Sequence, residues 1–391
     1  MMLKKTYKLR LYPTKKQTEK LEWTLARCCE LYNAALQERR EMYKYTGKGT
    51  TYNQQAMQLP EIKELREEYK DIHSQVLQDV LKRVEKTFKD FFKRVKAGRK
   101  PGYPRFQGRN HYDSFCYPQA GFSIKNGRLE LSKIGPSKIK LHCKVLGTIK
   151  TCTIKREGGC WYACFSCEVG QVLRTPYTDE AVGIDLGVSK LATLSTGDVI
   201  ENPKHYRRAE KRLAKAGQAL SRKKRGSQRR KKAVQRIAKL HRKVRNQRND
   251  SLHQWSRRLV NTYETIVFEE IAPANLSKRA KPKQDEQTGQ YLSNGASAKS
   301  GLNKSILDAG WSTFIAFCEY KAANAGTVEV VKVDPKYTSQ VCSGCGVVVK
   351  KTLSERWHSC ECGTELDRDH NAALNIKALW LRRSLQEACA S

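Results

Sequence analysis

The sequence predicts a multidomain α+β protein, and three features of its 391 residues support this fold class. Apolar and polar residues alternate, as in β-strands, over residues 3–12 and again between residues 121 and 169. The stretch from 14 to 98 carries apolar residues at helical spacing. After residue 182, short β-branched runs begin again, which indicates that a second domain opens there. A chain of this length is long enough for two or three domains, each with its own core.

The strands of the N-terminal half are expected to form one antiparallel β-barrel or small sheet. The turn pairs Asn126–Gly127 and Gly158–Gly159 separate its later strands. The strand at 3–12 joins this sheet, so the helices between 14 and 98 form an insertion. The basic, aromatic segment Arg99–Phe106 follows them. It suits phosphate contacts and base stacking, and the alternative is a surface loop with two anchoring rings.

The charge of the chain points to a polyanionic partner. The formal net charge is +36, from 75 Lys and Arg residues against 39 Asp and Glu residues. Such an excess repels itself unless a polyanion neutralises it, and nucleic acid is the natural candidate. A membrane surface is the competing polyanion, but the sequence has neither an apolar run of spanning length nor a signal peptide. We therefore expect a cytoplasmic or nucleoid-associated protein without a membrane partner.

The most basic part of the chain is the segment 204–248, which has 20 Lys or Arg residues and a single acidic residue, Glu210. Two long basic helices that break near Gly226 are predicted here, and a run of one sign favours contact with nucleic acid. A polar stretch at about 274–300 is predicted to be a mobile loop or lid. One amphipathic helix around residues 307–318 follows it.

Four cysteines form a cluster with the spacing Cys342-x2-Cys345-x14-Cys360-x-Cys362. Four thiolates at this spacing suit a structural Zn²⁺ ion in a ribbon-like finger, and a site closed by four ligands has no open position for catalysis. The C-x-C half is tighter than the usual C-x2-C, so His358 in place of one thiol is the alternative. The other ten cysteines are predicted to be core or partly buried thiols.

Carboxylates occur in three short motifs of the second half. Asp185 lies in a strand between two glycines, in Gly183-Ile184-Asp185-Leu186-Gly187. Glu269 and Glu270 end the apolar strand that begins near residue 264, and their side chains point to opposite faces. Asp367 and Asp369 precede a helix start. Each motif alone has a simpler explanation, such as a turn for Asp185 or an N-cap for Asp369.

Taken together, these carboxylates predict a metal-dependent nuclease. Three acidic residues delivered by separate elements could hold two divalent cations, which prefer oxygen ligands and can drive in-line hydrolysis of a phosphodiester. The eight histidines include no His-x-His pair, which disfavours a transposase with a histidine-bound metal and a tyrosine nucleophile. They also form no cluster of the His-Asn-His type.

The motifs resemble those of the TnpB (OrfB) family encoded by bacterial insertion sequences, which is related to the type V CRISPR effectors. The resemblance covers nearly the whole chain. It rests on these segments: Lys8–Thr14 with Gln17, Tyr32-Asn33, Tyr103–Phe106, Gly183–Gly187, Phe268–Ile271, Trp311, Tyr337–Gly346 and Asp367–Ala373. The family's usual Glu-Asp-Leu is Glu269-Glu270-Ile271 here, and the C-x-C spacing is a second departure.

The resemblance implies a wedge β-barrel with an inserted helical recognition lobe, followed by a RuvC nuclease domain of RNase H-like α/β fold with an inserted zinc ribbon. The implied boundaries are as follows: wedge barrel 1–13 and 118–178, helical lobe 14–117, RuvC domain 179–335 and 365–391, zinc ribbon 336–364.

The resemblance also implies a transposon-associated, RNA-guided DNA endonuclease. A guide RNA transcribed from the transposon end would pair with target DNA beside a short transposon-adjacent motif. The implied catalytic residues are Asp185, Glu269 and Asp369, which would hold two Mg²⁺ (or Mn²⁺) ions, with Asp367 as the alternative to Asp369. The implied Zn²⁺ ligands are Cys342, Cys345, Cys360 and Cys362. The expected partners are the guide RNA and double-stranded DNA, with the protein as a monomer.

Two other functions stay open at this point. A transposase could use three carboxylates on an RNase H-like fold for strand transfer directly on the element's DNA. A protein with an inactive site could act as an RNA-guided, DNA-binding repressor.

Overall fold

The computed structural model describes residues 2–170, 173, 175–352 and 355–390. The chain divides into two compact units, residues 1–170 and 171–391. The predicted zinc-binding segment 336–364 includes residues 353 and 354, which lie outside the described residues. Across the described ranges, no helix is both long enough and apolar enough to cross a membrane.

The first unit consists of a seven-stranded antiparallel sheet with helices inserted after its first strand. In chain order, its elements are β1 Met2–Tyr12, α1 Lys15–Thr46, α2 Tyr52–Met57, α3 Leu59–Leu65, a short 3-10 helix Glu67–Asp71, α4 Ser74–Lys96, β2 Ser114–Tyr117, β3 Phe122–Lys125, β4 Arg128–Leu131, β5 Gly135–Lys140, β6 Thr148–Glu157 and β7 Cys160–Gly170.

Strand β1 lies in the middle of this sheet, in the order β2-β6-β7-β1-β5-β4-β3. It pairs with β7 along nearly its whole length and with β5 near its end. Leu9 and Leu11 are almost fully buried, as the alternation in the sequence predicts. The sheet prediction for the N-terminal half is therefore confirmed. The strand Ser114–Tyr117 extends the sheet into the range 14–117 that was predicted to be helical.

The inserted helices begin and end at recognisable signals. Thr14 and Gln17 form a capping box at the start of α1, and Gly47 ends that helix with a positive φ of 67°. Buried side chains of α1 and α4, such as Leu25 and Val80, belong to the same core as the sheet.

The second unit is built on a five-stranded mixed sheet. Its elements are β8 Thr178–Leu186, β9 Lys190–Leu194, β10 Val199–Glu201, α5 His205–Ser221, α6 Gln228–Thr262, β11 Tyr263–Glu269, α7 Pro273–Leu276, β12 Lys283–Gln284, β13 Tyr291–Leu292, α8 Ala296–Ala309, α9 Trp311–Ala325, β14 Glu329–Val333, β15 Trp357–Ser359, β16 Glu365–Asp367 and α10 Arg368–Ala390.

The strand order of this sheet is β10-β9-β8-β11-β14. Strand β9 is antiparallel to both of its neighbours, β10 and β8, whereas β11 runs parallel to both β8 and β14. Ile184 and Phe268 point to one face, where α6, α8 and α9 cover them. Val267 points to the other face, where it packs against Ile376 of α10. The sheet therefore lies between two helical layers.

Two predictions in this unit need correction. The polar stretch at 274–300 is not featureless, because it contains the end of α7, the short strands β12 and β13, and the beginning of α8. The single helix predicted around 307–318 is two helices, because Gly310 adopts a positive φ of 72° between α8 and α9. The two basic helices, α5 and α6, are confirmed, and the break between them includes Gly226.

Gly183 allows α10 to lie directly on β8. A Cβ atom at this position would stand 2.1 Å from the Ala373 carbonyl oxygen and 2.7 Å from the Lys377 backbone nitrogen. No side chain fits in that space, so the backbones of strand and helix touch there. Asp185 lies two residues further along the same strand face. The close packing at Gly183 therefore sets the distance between Asp185 and the beginning of α10.

We predict that Gly183→Ala destabilises the second unit by about 3 kcal/mol, because α10 must move away from the sheet. Urea unfolding followed by circular dichroism would measure this loss. Gly217→Ala is the matched control, since Gly217 lies in α5 and a Cβ atom added there would have no neighbour within 4 Å. That control should gain up to about 1 kcal/mol from higher helix propensity, and equal stability of both variants would contradict the packing argument.

Candidate active site and metal centre

Asp185 is brought to the α10 face of the sheet by the alternation of β8. Its neighbours Ile184 and Leu186 point the other way into the core, and both are buried. The Trp311 indole N–H donates to the Gly187 carbonyl oxygen at 3.1 Å, which anchors the turn after the strand. Within the described residues, no hydrogen bond reaches the Asp185 carboxylate, so a sheltered charge has no protein donor there.

Glu269 reaches the same face from the end of β11. Its Oε1 atom accepts a 2.6 Å hydrogen bond from the Thr338 hydroxyl. Burial raises the pKa of Glu269 above its ordinary value, although the bond from Thr338 partly opposes this shift. Glu270, the next residue, is exposed and follows the end of the strand. Of this pair, Glu269 is therefore the residue whose carboxylate is sheltered on the α10 face, and it is the one that the family resemblance implies.

Asp367, rather than Asp369, caps helix α10. The Asp367 Oδ1 atom accepts hydrogen bonds from the backbone N–H groups of Asp369 at 2.8 Å and His370 at 3.3 Å. Its other oxygen lies 3.1 Å from the Lys190 ammonium. Burial alone would raise the pKa of Asp367, but Lys190 and the N–H donors hold it below the ordinary value. The N-cap explanation proposed for Asp369 is wrong, and its carboxylate is left available for other contacts.

Asp369 lies in the first turn of α10, next to Arg368. Its Oδ1 atom stands 3.4 Å from the Arg368 guanidinium, and only 15% of the Asp369 side chain is exposed. Arg368 also donates to the Glu355 carbonyl oxygen at 3.1 Å. The charge of Arg368 lowers the pKa of Asp185, so one guanidinium acts on two of the three predicted catalytic carboxylates.

The electrostatics of this site fit a divalent cation. Burial, followed by the charges of Glu269 and Asp369, raises the pKa of Asp185 to about 8. Sheltered carboxylates that repel one another are stabilised in their charged form by a bound cation, and oxygen donors are what Mg²⁺ and Mn²⁺ prefer. Among the described residues, these carboxylates do not form a group whose ligand oxygen atoms all lie within 4.8 Å of one another.

The four clustered cysteines form a second candidate metal site, in which four thiols can supply all the ligands of a tetrahedral ion. The four thiols all lie within 4.8 Å of one another, with Cys342 Sγ 3.6 Å from Cys362 Sγ and Cys345 Sγ 3.5 Å from Cys360 Sγ. Tetrahedral zinc with Zn–S bonds of about 2.3 Å places sulfur atoms about 3.8 Å apart, so the donor set fits Zn²⁺. His358, the alternative ligand, lies outside this group and instead contacts the Cys342 thiol.

Two asparagines of α10 attach the cysteine-bearing segment to the second unit. Asn371 accepts from the Ser343 N–H at 3.0 Å and donates to the Val341 carbonyl oxygen at 2.7 Å. Asn375, one turn later, donates to the carbonyl oxygens of Thr338 and Val341. Both side chains are buried. Since Thr338 also holds Glu269, this docking connects the cysteine segment to the acidic site.

Sequence analysis gave no individual role to Thr338, Asn371, Asn375, Arg368 or Lys190. For the asparagines, the sequence does contain a signal of such a role. Two amide side chains lie four residues apart on a helix face whose other residues are Ala and Ile. Such a spacing indicates buried polar groups that need partners. The partners of Arg368 and Lys190 have no such signal, because charged residues are common in this chain.

We predict that Asp185→Asn stabilises the metal-free protein at neutral pH. A folded pKa of about 8 against an ordinary value of 3.8 means that the folded state binds more protons than the unfolded state between these values. The free energy of unfolding of the parent protein therefore falls as pH rises from about 4 to 8. Asp185→Asn removes this loss and should gain up to roughly 5 kcal/mol at pH 8 but little at pH 4.

Urea unfolding at several pH values without added Mg²⁺ or Mn²⁺ would measure the difference. Asp179→Asn is the control, because Asp179 is exposed on the same strand. If both variants followed the parent's pH dependence, the raised pKa of Asp185 would be wrong.

We predict that the protein binds one Zn²⁺ per chain and that removing it unfolds the segment 336–364. Elemental analysis of the purified protein would measure the stoichiometry, and hydrogen exchange before and after chelation would locate the unfolding. Cys342→Ser should lose the metal, whereas Cys143→Ser, at an exposed cysteine of the first unit, should keep it. Unchanged exchange in 336–364 after chelation would contradict the zinc assignment.

Three family models match parts of this chain. A model of the OrfB family, described as "Probable transposase", matches residues 164–280. A model described as "Cas12f1-like, TNB domain" matches residues 311–376, which include all four clustered cysteines. A model described as "Helix-turn-helix domain" matches residues 1–48. In this structure the described residues of that last range form strand β1 and the single continuous helix α1.

Relatives match over almost the whole chain. Proteins of Streptomyces pristinaespiralis and Escherichia coli, each named "Putative RNA-guided DNA endonuclease" (the latter InsQ), are both 34% identical to it. The alignments cover 98% and 95% of this chain and 90% and 91% of the relatives. A cryo-EM structure of a Cas12f1–sgRNA–target DNA complex has the same fold, with a TM-score of 0.55 at 14% identity, covering 96% of this chain and 99% of that one. The chain belongs to the TnpB (OrfB) family, as its motifs predicted.

Proposed function

We propose that this protein is an RNA-guided DNA endonuclease that hydrolyses phosphodiester bonds at the acidic site. The observation that carries the proposal is the delivery of Asp185, Glu269 and Asp369 to one face of the second sheet, where burial and mutual repulsion raise the pKa of Asp185 to about 8. Names of the relatives at 34% identity support the DNA substrate and the RNA guide. The catalytic residues would be these three carboxylates.

The residues present would hold two Mg²⁺ or Mn²⁺ ions, which when bound supply charge stabilisation for the transferring phosphoryl group. Asp185 and Glu269 would provide ligands from rigid strands, and Asp369 would provide one from the first turn of α10. Thr338 orients the Glu269 carboxylate through its hydroxyl. Asp367 keeps the helix start in place by capping it and by pairing with Lys190. Arg368 supplies a fixed positive charge beside Asp369.

The fold supports this assignment of domains. The order β10-β9-β8-β11-β14, in which β9 runs antiparallel to the other four strands, suits the RNase H-like RuvC domain that the family resemblance implies, at 179–335 and 365–391. We assign 336–364 as a zinc ribbon, 1–13 and 118–178 as the wedge barrel, and 14–117 as the helical recognition lobe. Within that range, strand β2 pairs with β6 and belongs to the sheet.

The basic hairpin of α5 and α6 suits the sugar–phosphate backbone of a nucleic acid. A cavity of about 500 Å³ lies between the two helices, and alanines form part of its lining. Five cationic side chains also line it: Arg212, Lys215, Lys223, Lys232 and Arg236. Cations without acidic neighbours bind phosphate with a strong dependence on salt. We propose that guide RNA and double-stranded target DNA are the partners of a monomeric protein at the nucleoid of a prokaryotic cell.

A transposase acting directly on element DNA is the second candidate, and the description "Probable transposase" of the matching family model favours it. The same three carboxylates could support strand transfer. An RNA-guided repressor is the third, but it would not need two sheltered carboxylates with raised pKa values, whose burial costs stability.

The proposed function is tested by purifying the full chain with the RNA it retains, sequencing that RNA, and adding Mg²⁺ with a matching DNA library. A discrete RNA and cleavage beside a fixed short motif would support the proposal. Bound RNA without cleavage would favour the repressor, and absence of RNA would favour the transposase.

We predict that Asp185→Ala and Asp369→Asn each reduce cleavage by at least about 1,000-fold while RNA and DNA binding stay unchanged, because both lose a metal ligand. Asp367→Asn should retain substantial cleavage, since asparagine caps a helix about as well as aspartate and the change removes the ion pair with Lys190 but no proposed metal ligand. Single-turnover cleavage and filter binding would measure the two properties. If Asp367→Asn lost as much activity as Asp369→Asn, the choice between these carboxylates would be overturned.

A further inference from the structure

The first unit contains a cavity that the nuclease chemistry does not use. Its volume is about 480 Å³, which is enough for a single aromatic heterocycle. Helix α1, the segment Gly49–Thr51, helix α4 and Tyr103 form its walls. Four of its ten lining residues are aromatic: Tyr43, Phe88, Phe92 and Tyr103.

Three of the aromatic side chains that line this cavity are exposed to solvent. The exposed fractions are 66% for Tyr43, 55% for Phe92 and 49% for Tyr103. Large rings left in water at the mouth of a cavity indicate a surface that is covered by a ligand. The rings of Phe91 and Phe88 pack edge-to-face against the Tyr103 ring, at centroid distances of 5.4 and 6.3 Å respectively.

The segment that carries Tyr103 is held in place before any ligand binds. Pro101 and Pro104 restrict its backbone, and Gly102 between them takes a positive φ of 59°. Asn33 of α1 fixes the segment's end, because its amide nitrogen donates to the Gln107 carbonyl oxygen at 2.9 Å and its Oδ1 atom accepts from the Gln107 N–H at 2.8 Å. A preformed platform loses little entropy when a ligand stacks on it.

The inner wall carries net positive charge. Arg39 is 6% exposed and donates to Glu85 at 2.8 Å, while Lys89 lies 3.1 Å from the same carboxylate. Two cations therefore share one anion. The Arg39 Nη2 atom is buried and has no hydrogen-bond partner among the described residues. A ligand with ring nitrogens or carbonyl oxygens at its edge is attracted to such a wall.

The rim carries charge of the same sign. Residues 89–105 include seven Lys or Arg residues and one acid, Asp90. The Arg40 guanidinium extends the aromatic surface, since it lies 5.5 Å from the centre of the Tyr103 ring and 5.2 Å from that of Phe106. Exposed rings between cations are the combination that binds single-stranded nucleic acid, with phosphates on the cations and bases on the rings.

We propose that this cavity binds one unpaired nucleobase, stacked on Phe92 and Tyr103, while the cations of residues 89–105 hold the adjacent phosphates. The inference deepens the proposed function, since it rests on a nucleic-acid ligand, but it requires no cleavage. The charge of the rim favours this occupant over an apolar protein segment, which would gain nothing from seven cations. The base could belong to the RNA or to the DNA, because both present the same ring chemistry.

The test uses the full-length Asp185→Ala variant, freed of co-purified nucleic acid by high salt, so that cleavage plays no part. The probes are 12-nucleotide oligo-U and oligo-dT strands with one central 2-aminopurine, whose fluorescence falls when it stacks, and the same strands with abasic sites. We expect quenching on binding and about tenfold weaker binding of the abasic strands. The strand type that is quenched more strongly identifies RNA or DNA as the source.

Variants separate stacking from charge. Adding Phe92→Ala should remove most of the quenching and of the tenfold preference, and Phe92→Trp should restore both. Tyr45→Ala is the matched control, because Tyr45 is 76% exposed near the end of α1 and does not line the cavity. Lys96→Gln should weaken intact and abasic strands equally.

Equal affinity for intact and abasic strands, with quenching that Phe92→Ala leaves unchanged, would overturn the proposal even if guided cleavage were demonstrated. Conversely, base-dependent binding in a protein that never cuts DNA would support the cavity assignment and count against the nuclease.

Discussion

Helix α10 lies directly on strand β8, with the Ala373 carbonyl oxygen in the space that a side chain at position 183 would need. Most of the proposed active site depends on this contact. The first turn of the helix carries Asp369 and Arg368, and the cap residue Asp367 immediately precedes it. The next turns carry Asn371 and Asn375, which hold the cysteine segment. One helix therefore aligns an acidic residue with those of the sheet and attaches a separate metal-binding segment beside them.

Without a bound cation, the acidic site lowers the stability of the folded protein. Burial and repulsion oppose ionisation of Asp185 and Glu269, whereas hydrogen bonding and Lys190 favour ionised Asp367. Neighbouring carboxylates of one small region thus have opposite pKa shifts. The Asp367 carboxylate is already engaged by two backbone N–H groups and by Lys190. This engagement is a physical reason for proposing Asp369 and not Asp367 as the third ligand.

Much of the fold and of the site followed from patterns in the sequence, because those patterns report local constraints. Strand alternation predicted that Glu269 and Glu270 point to opposite faces, the family resemblance implied Glu269, and cysteine spacing identified all four members of the cysteine cluster. Predictions failed where the outcome depended on contacts distant in the sequence. The capping role of Asp367 follows from where α10 begins, which no pattern fixes to one residue. The role of Thr338 depends on a strand 69 residues earlier, and that pairing has no local signal.

The acidic site and the cysteine cluster are connected through hydrogen bonds. Cys342 lies next to Val341, whose carbonyl oxygen accepts from both asparagines of α10. Thr338, three residues before Val341, donates to Glu269. An ordered cysteine segment therefore fixes the orientation of the Glu269 carboxylate, a proposed metal ligand. A disordered segment would remove the Thr338 hydrogen bond to this carboxylate and raise its pKa further. A zinc ion without an open coordination position would in this way contribute to catalysis through structure alone.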